Sequence, residues 1–273
     1  MRWTALLALA LSLSTPSFAQ PASASGLNFY SLEAERRLGH NSAAALEGVL
    51  PLVEDAGLNA YVQRLGAALA AHAASPFTFS FTLYEDRRTG GSFASPASVA
   101  VSPIDASSGH PLEPLAVAGG PIFVPMSLLA AAPSESALAF QLAHAMAHIA
   151  ARHATRNKTR AEVMQTQEIS YSSGVSGIPM GSLSFSRANE READYLAVQI
   201  LAKAGFDPEA AAAALAAQPA PPPGAISRVF QPRPPAAERA QAIRSQLAKM
   251  PPTKYQAATG DFAEAKARAA IVH

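Results

Sequence analysis

The chain has 273 residues, 49% of them hydrophobic and 15% charged, enough for one sizeable domain with appendages. A formal net charge of +1 gives no electrostatic footprint for nucleic acid or for an anionic membrane surface. The absence of cysteine excludes disulfides, thiol catalysis, sulfur-ligated metal and an N-terminal lipid-modified cysteine.

Residues 1–19 carry the pattern of a secretory signal: Arg2, an apolar run from Ala5 to Leu13, then small residues in Ser17-Phe18-Ala19. Cleavage is expected near Ala19, before Gln20. The apolar run is shorter than the ~20 residues a membrane span needs. No later stretch is long and apolar enough to cross a bilayer. The mature chain is therefore expected to be exported, without a transmembrane segment, and to reside in a bacterial periplasm. Residues 20–30 read as an unstructured leader.

Ser31 to about Val49 is predicted helical, stopped by Pro51. Asp55 can cap a second helix, whose apolar face is Leu58, Tyr61, Val62, Leu65 and Leu69. Phe77 to Tyr84 alternates apolar and polar residues and predicts a strand with one buried face. Its phenylalanines read as core rather than as a platform for nucleic acid bases. Residues 86–118 are irregular, punctuated by glycine and proline. Gly119 to Pro125 reads as a turn and a short strand, and the bracketing prolines suit an edge strand. Leu128 to Ala132 is predicted to be a short helix.

A long buried helix is predicted from Ser134 to about Arg160, with Ala137, Leu138, Leu142, Met146 and Ile149 on its apolar face. Residues 172–184 are Gly/Ser-rich and read as a flexible loop. Arg187 to Ala204 is predicted helical, ended by Gly205. Asp207 caps an Ala-rich helix. Pro219 to Pro223 reads as a linker and Pro232 to Pro235 as a second break. Ala236 to Lys249 is the last predicted helix, and residues 250–273 read as a loosely held C-terminal tail. No internal repeat is visible.

The long helix carries His144 and His148, four residues apart and hence on one face, as one metal ion requires of two imidazoles. The usual form of this motif is HExxH, in which the Glu is the general base; here that position holds Ala145. A third donor can come from Glu190 or Asp194, which share a helical face in Asn189-Glu190-Arg191-Glu192-Ala193-Asp194. One carboxylate can bind metal and the other can take the hydrogen bond of a ligand imidazole. Glu192 points elsewhere. Imidazole and carboxylate donors without sulfur suit zinc in an exported protein. His153 reads as a helix-surface residue or as a support for a ligand. His40, His72, His110 and His273 lack motif context.

From about Ser31 to Leu247 the chain resembles the zinc metallopeptidase family that includes HtpX, BepA, Oma and the CAAX prenyl endopeptidases (peptidase family M forty-eight), in its soluble periplasmic branch. The resemblance rests on five segments in family order: Gly119-Gly120-Pro121-Ile122-Phe123-Val124, Ser134 to Ala139, His144-x-x-x-His148 with Arg152-His153, Phe185-Ser186-Arg187 with Glu190-x-x-Ala193-Asp194, and Ala204 to Pro208. It implies an α+β, mainly helical zincin (gluzincin-like) metallopeptidase fold over residues 31–249, with a small β-sheet beside the HxxxH helix. It implies one zinc ion held by His144, His148 and Glu190, with Asp194 as hydrogen-bond partner of a ligand. It also implies that Gly120, Ile122, Phe123 and Val124 form the edge along which a peptide substrate lies extended.

Three departures from the family pattern stand out. Ala145 cannot take a proton from an attacking water or return one to a leaving amine, a loss worth ~10²–10⁴ in rate. Arg233-Pro234 replaces a family His-Pro pair before Arg239; Arg233 cannot ligate zinc but can pair with a substrate carboxylate or an oxyanion. Residues 92–118 contain a Ser/Pro/Ala-rich insertion expected at the cleft rim. The expectation is a pseudopeptidase of the bacterial envelope that binds extended or misfolded protein segments. Its partners would be polypeptides and not nucleic acid. Two alternatives stay open: an active endopeptidase with a substitute base (Glu162 or Glu168), and a metal-free interaction scaffold.

Overall fold

The computed structural model describes residues 26–86, 113–166, 180–218, 233–256 and 259–272, with side chains for all of these except 164–166 and 180–185. The predicted signal, residues 20–25 of the leader, residues 92–112 of the insertion, Glu168, most of the Gly/Ser-rich loop and the 219–223 linker lie outside these residues.

Two helices open the fold where their caps predict. Ser31 accepts Ala34 N at 3.1 Å and starts α1 (Leu32–Glu47). Asp55 accepts Gly57 N and Leu58 N at 2.9 and 3.0 Å and starts α2 (Ala56–Ala70). The buried residues of α2 include Leu58, Tyr61, Val62, Leu65 and Leu69, the face that its period requires. Each leucine so buried contributes ~1.5–3 kcal/mol.

The sheet has three strands, β1 (Ser80–Tyr84), β2 (Leu115–Ala116) and β3 (Pro121–Pro125), in the order β1-β3-β2. β1 runs parallel to β3, in a register that pairs Phe81 with Ile122 and Leu83 with Val124. Those four residues share one face and pack into the main core with α2 and α4. The other face presents Tyr84, Leu115 and Phe123 to Ala43 and Leu46 of α1. The sheet is thus sandwiched between helices. Gly39 lets α1 come this close, since a Cβ there would lie 1.7 Å from the Ala118 carbonyl oxygen.

Beyond the sheet come α3 (Met126–Ala131), α4 (Glu135–Ala150), α5 (His153–Thr166), α6 (Met180–Ala204), α7 (Glu209–Ala216), α8 (Ala236–Leu247) and α9 (Gly260–Val272). Most of α4 is buried, as befits a helix apolar on nearly every side. It packs chiefly on α6, while α7 packs on α8. The architecture is therefore α+β and mainly helical, with the small sheet beside the HxxxH helix, as expected. No helix among the described residues is long and apolar enough to cross a membrane.

Five expectations need correction. The strand containing Ile122, Phe123 and Val124, preceded by Gly120, is not an edge: β3 is central and those three residues are almost wholly buried. Its prolines sit at the strand ends, where they remove no ladder bond between Ile122 and Val124, and the apolar run between them fits a strand buried on both faces. On the far side of β1, Leu52 bridges Tyr84, and Val53 N donates to Leu83 O at 3.0 Å. The open side of the sheet among the described residues is therefore that of β2.

The long helix does not run to Arg160, because Arg152 turns left-handed (φ 57°) between α4 and α5. That conformation costs a non-glycine residue ~1–3 kcal/mol. The Arg152 Nε bond to the buried Glu35 at 2.7 Å, with a second bond to Tyr30 O, offsets it. Nor is the described end of the leader unstructured: Asn28 and Phe29 N both bond α5, through Thr155 and Thr159, at 2.9 Å. Residues 180–184, expected in the flexible loop, form the first turns of α6. Finally, the chain after residue 250 is not a loose tail. Thr259 binds the buried Glu135 through N and Oγ1 at 2.6 Å, and α9 buries Phe262, Ala265 and Ala269 beside α2 and α3.

Candidate metal centre

α4 and α6 build the centre between them. Ala143 and Ala147 on α4, and Ala193 and Ala197 on α6, are fully buried. Such small side chains let the two helices approach closely. His144 and His148 face α6 from one turn of α4, while Glu190 and Asp194 face back from one turn of α6. The sequence motif on each helix is thereby joined into one cluster.

The donor atoms converge. His144 Nε2 lies 3.0 Å from His148 Nε2 and 3.5 Å from Glu190 Oε2, and His148 Nε2 lies 3.4 Å from Glu190 Oε1. Three donors bound tetrahedrally at ~2.0–2.1 Å would sit about 3.3 Å apart, so the set fits one divalent ion. Among the described residues these three form the one such group of metal-capable side chains. His144 and Glu190 are buried and His148 is half-buried, so the cluster is closed on the protein side and reachable past His148.

Asp194 stands behind His144. His144 Nδ1 is 3.0 Å from Asp194 Oδ1. With that nitrogen protonated, Nε2 is free to ligate. Arg239 clamps the same carboxylate through Nε and a terminal nitrogen at 2.8 and 2.7 Å. The sequence marks Arg239 only by its place after Arg233-Pro234; its role needs the packing of α8 on α6. Burial works against the His144 charge, but the carboxylates of Asp194 and Glu190 beside it outweigh it and push its pKa up to about 9. Burial would raise the Asp194 carboxyl, yet Arg239 and His144 hold it down at about 2. Glu190 is held well below the usual carboxylate range: burial opposes this, but its cationic neighbours, the His144 imidazolium and Arg233, prevail. Burial pushes His148 well down, so it stays neutral.

His148 has a support of its own. Its Nδ1 lies 3.0 Å from His153 Nδ1, and His153 Nε2 lies 3.2 Å from Glu192 Oε2. Arg156 stands 3.8 Å from that same oxygen. Glu192 does turn away from Glu190, but toward His153 rather than toward open solvent.

A sequence model described as Peptidase family M48 matches residues 111–247, half of the chain. The chain belongs to this family. It is 25% identical over 241 residues to the Beta-barrel assembly-enhancing protease of Escherichia coli (strain K12), and equally to that of Shigella flexneri. Each alignment covers 76% of this chain and 43% of the relative, so the chain spans under half the length of these curated relatives.

Two further positions lie at or beside this centre. Ala145 is 3% exposed and part of the main core, between the two imidazole-bearing turns. Arg233 comes to the centre: its Nε is 3.5 Å from Glu190 Oε2, and a terminal nitrogen is 2.7 Å from Glu113 Oε2. Glu113 also faces Arg239 at 3.8 Å. It precedes β2 and escaped notice in the sequence because no local pattern marks it. Glu162, one of the two acids considered as a substitute base, is engaged by Tyr30 OH at 2.6 Å and Lys158 at 3.5 Å.

Proposed function

We propose that this chain is a zinc-binding, catalytically impaired peptidase of the bacterial envelope that holds extended or misfolded protein segments and does not cut them efficiently. One observation supports the reading: His144, His148 and Glu190 converge as a metal-capable set, while Ala145, where the resemblance expects the general base, is a buried alanine. His144, His148 and Glu190 would hold the ion. An imidazole and carboxylate set without sulfur favours zinc over softer ions. When bound, zinc supplies Lewis acidity to a carbonyl and acidifies water.

The chain's own residues then bind and orient. Asp194 and Arg239 keep His144 turned toward the ion. Among the described residues no strand pairs with the outer side of β2, where an extended segment could add as a further strand. Arg233 offers a cation beside Glu190 for a carboxylate or oxyanion of the bound segment. Two acids that could be asked to move the proton are already engaged, Glu113 by Arg233 and Arg239 and Glu162 by Tyr30 and Lys158. The envelope location rests on the signal-like residues 1–19. The relatives named for β-barrel assembly enhancement and proteolysis support polypeptides as partners.

The test uses the full chain purified free of proteases. About one zinc per chain is expected, lost on His144→Ala, with casein left intact over hours. Sustained casein cleavage by the zinc-loaded protein would overturn the impairment. A wild type that binds no zinc would leave only a metal-free scaffold.

A further inference from the structure

His153 lies five residues beyond His148, and in an unbroken helix it would point about 140° around the axis from it. The structure nonetheless sets the two Nδ1 atoms 3.0 Å apart. What brings them together is the left-handed turn at Arg152, which ends α4 and restarts the chain as α5 with His153 as its first residue. That turn is held from outside by Glu35, which is fully buried and bonds both Arg152 and Thr155. Strain kept in this way beside a functional site asks for a use.

The tautomers supply one. If His148 ligates through Nε2, its single proton sits on Nδ1 and must be donated. The atom facing it is His153 Nδ1, which then has to be bare. His153 accordingly carries its own proton on Nε2, and Glu192 Oε2 is there to accept it at 3.2 Å. Every donor in the series meets one acceptor, and His153, 2% exposed, has no nitrogen left over to ligate. The arrangement parallels Asp194 behind His144, with an imidazole interposed between ligand and carboxylate.

We infer that His153, backed by Glu192, is a positioning residue that fixes His148 in its Nδ1-protonated tautomer with Nε2 aimed at the metal, and that the Arg152 turn exists to deliver it. This rests on the metal-centre reading above. Partners of this kind typically carry 10–100-fold in metal affinity.

The experiment is a zinc competition titration of the full chain against a chromogenic chelator. His153→Leu should weaken zinc about 10–100-fold. His153→Asn, which places an amide oxygen near the Nδ1 position, should recover most of that loss. Glu192→Leu should cost about tenfold. Long-range ¹H–¹⁵N spectra of the zinc-loaded wild type should show His148 protonated at Nδ1. Unchanged affinity in His153→Leu overturns the inference, as does an equal loss in the Leu and Asn variants, which would make the position one of packing alone. If His153→Leu does not fold, Glu192→Leu decides, and unchanged affinity there overturns it. A wild type without zinc sinks the metal centre and this inference with it, whereas a zinc-bound wild type with indifferent His153 variants sinks the inference alone.

Discussion

Removing Arg239 should cost more than any other single truncation at the centre. Its guanidinium makes two charge-assisted bonds to Asp194, at 2.7 and 2.8 Å, and both side chains are about 5% exposed. Arg239→Met would leave a buried carboxylate held only by His144 at 3.0 Å. Breaking one side of such a pair costs ~3–5 kcal/mol. At ~2–4 °C per kcal/mol for a domain of this size, the metal-free protein should melt about 6–20 °C lower. The assay is urea and thermal denaturation of the full chain at neutral pH. Asp194→Asn combined with Arg239→Met removes both charges together, so the double variant should cost clearly less than the sum of the singles. A loss below ~1 kcal/mol for Arg239→Met, or simple additivity, would refute the view that this buried pair is a coupled element holding His144.

Other outcomes follow from the same geometry. With His144 raised to about 9 in the metal-free protein, zinc has to displace one proton. Affinity should therefore climb about tenfold per pH unit and level off near that value, and calorimetry in buffers of different ionisation enthalpy would contradict this if no proton were released. For stability the signs are opposite for the two partners. The His144 contribution is full below its ordinary value of 6.5 and lost as pH rises through about 9, while that of Asp194 is present above 3.8 and lost as pH falls through about 2. Arg233→Ala removes a cation 3.5 Å from Glu190 and should tighten zinc on the order of tenfold; weaker binding would contradict its placement. Gly39→Ala should destabilise by about 1–3 kcal/mol in urea, because its Cβ meets the Ala118 backbone, whereas helix propensity alone predicts a gain.

The parts of the centre readable in the sequence were those with a local period. His144 with His148, and Glu190 with Asp194, each announce one helical face, and the face of α2 and the caps at Ser31 and Asp55 do likewise. What escaped depends on contacts between distant segments. Arg239 and Glu113 carry no pattern, and their meaning appears only when α8 and the start of β2 close on α6. The turn at Arg152 has no glycine, proline or cap residue to signal it; it is held by Glu35, more than a hundred residues away in sequence. Whether Ile122 to Val124 form an edge or a centre depends on a parallel pairing with β1, about forty residues earlier, and prolines at strand ends are compatible with both. The C-terminal helix was missed because its anchor, Glu135, is hidden at the start of α4.

Ala145 remains the position on which the functional account turns. The decisive measurement compares casein cleavage by the wild type and Ala145→Glu, both as full-length protein with zinc content determined on the same samples. The account predicts about one zinc in each and a rate ~10²–10⁴ higher for the glutamate variant. Equal rates in two zinc-loaded proteins would contradict it.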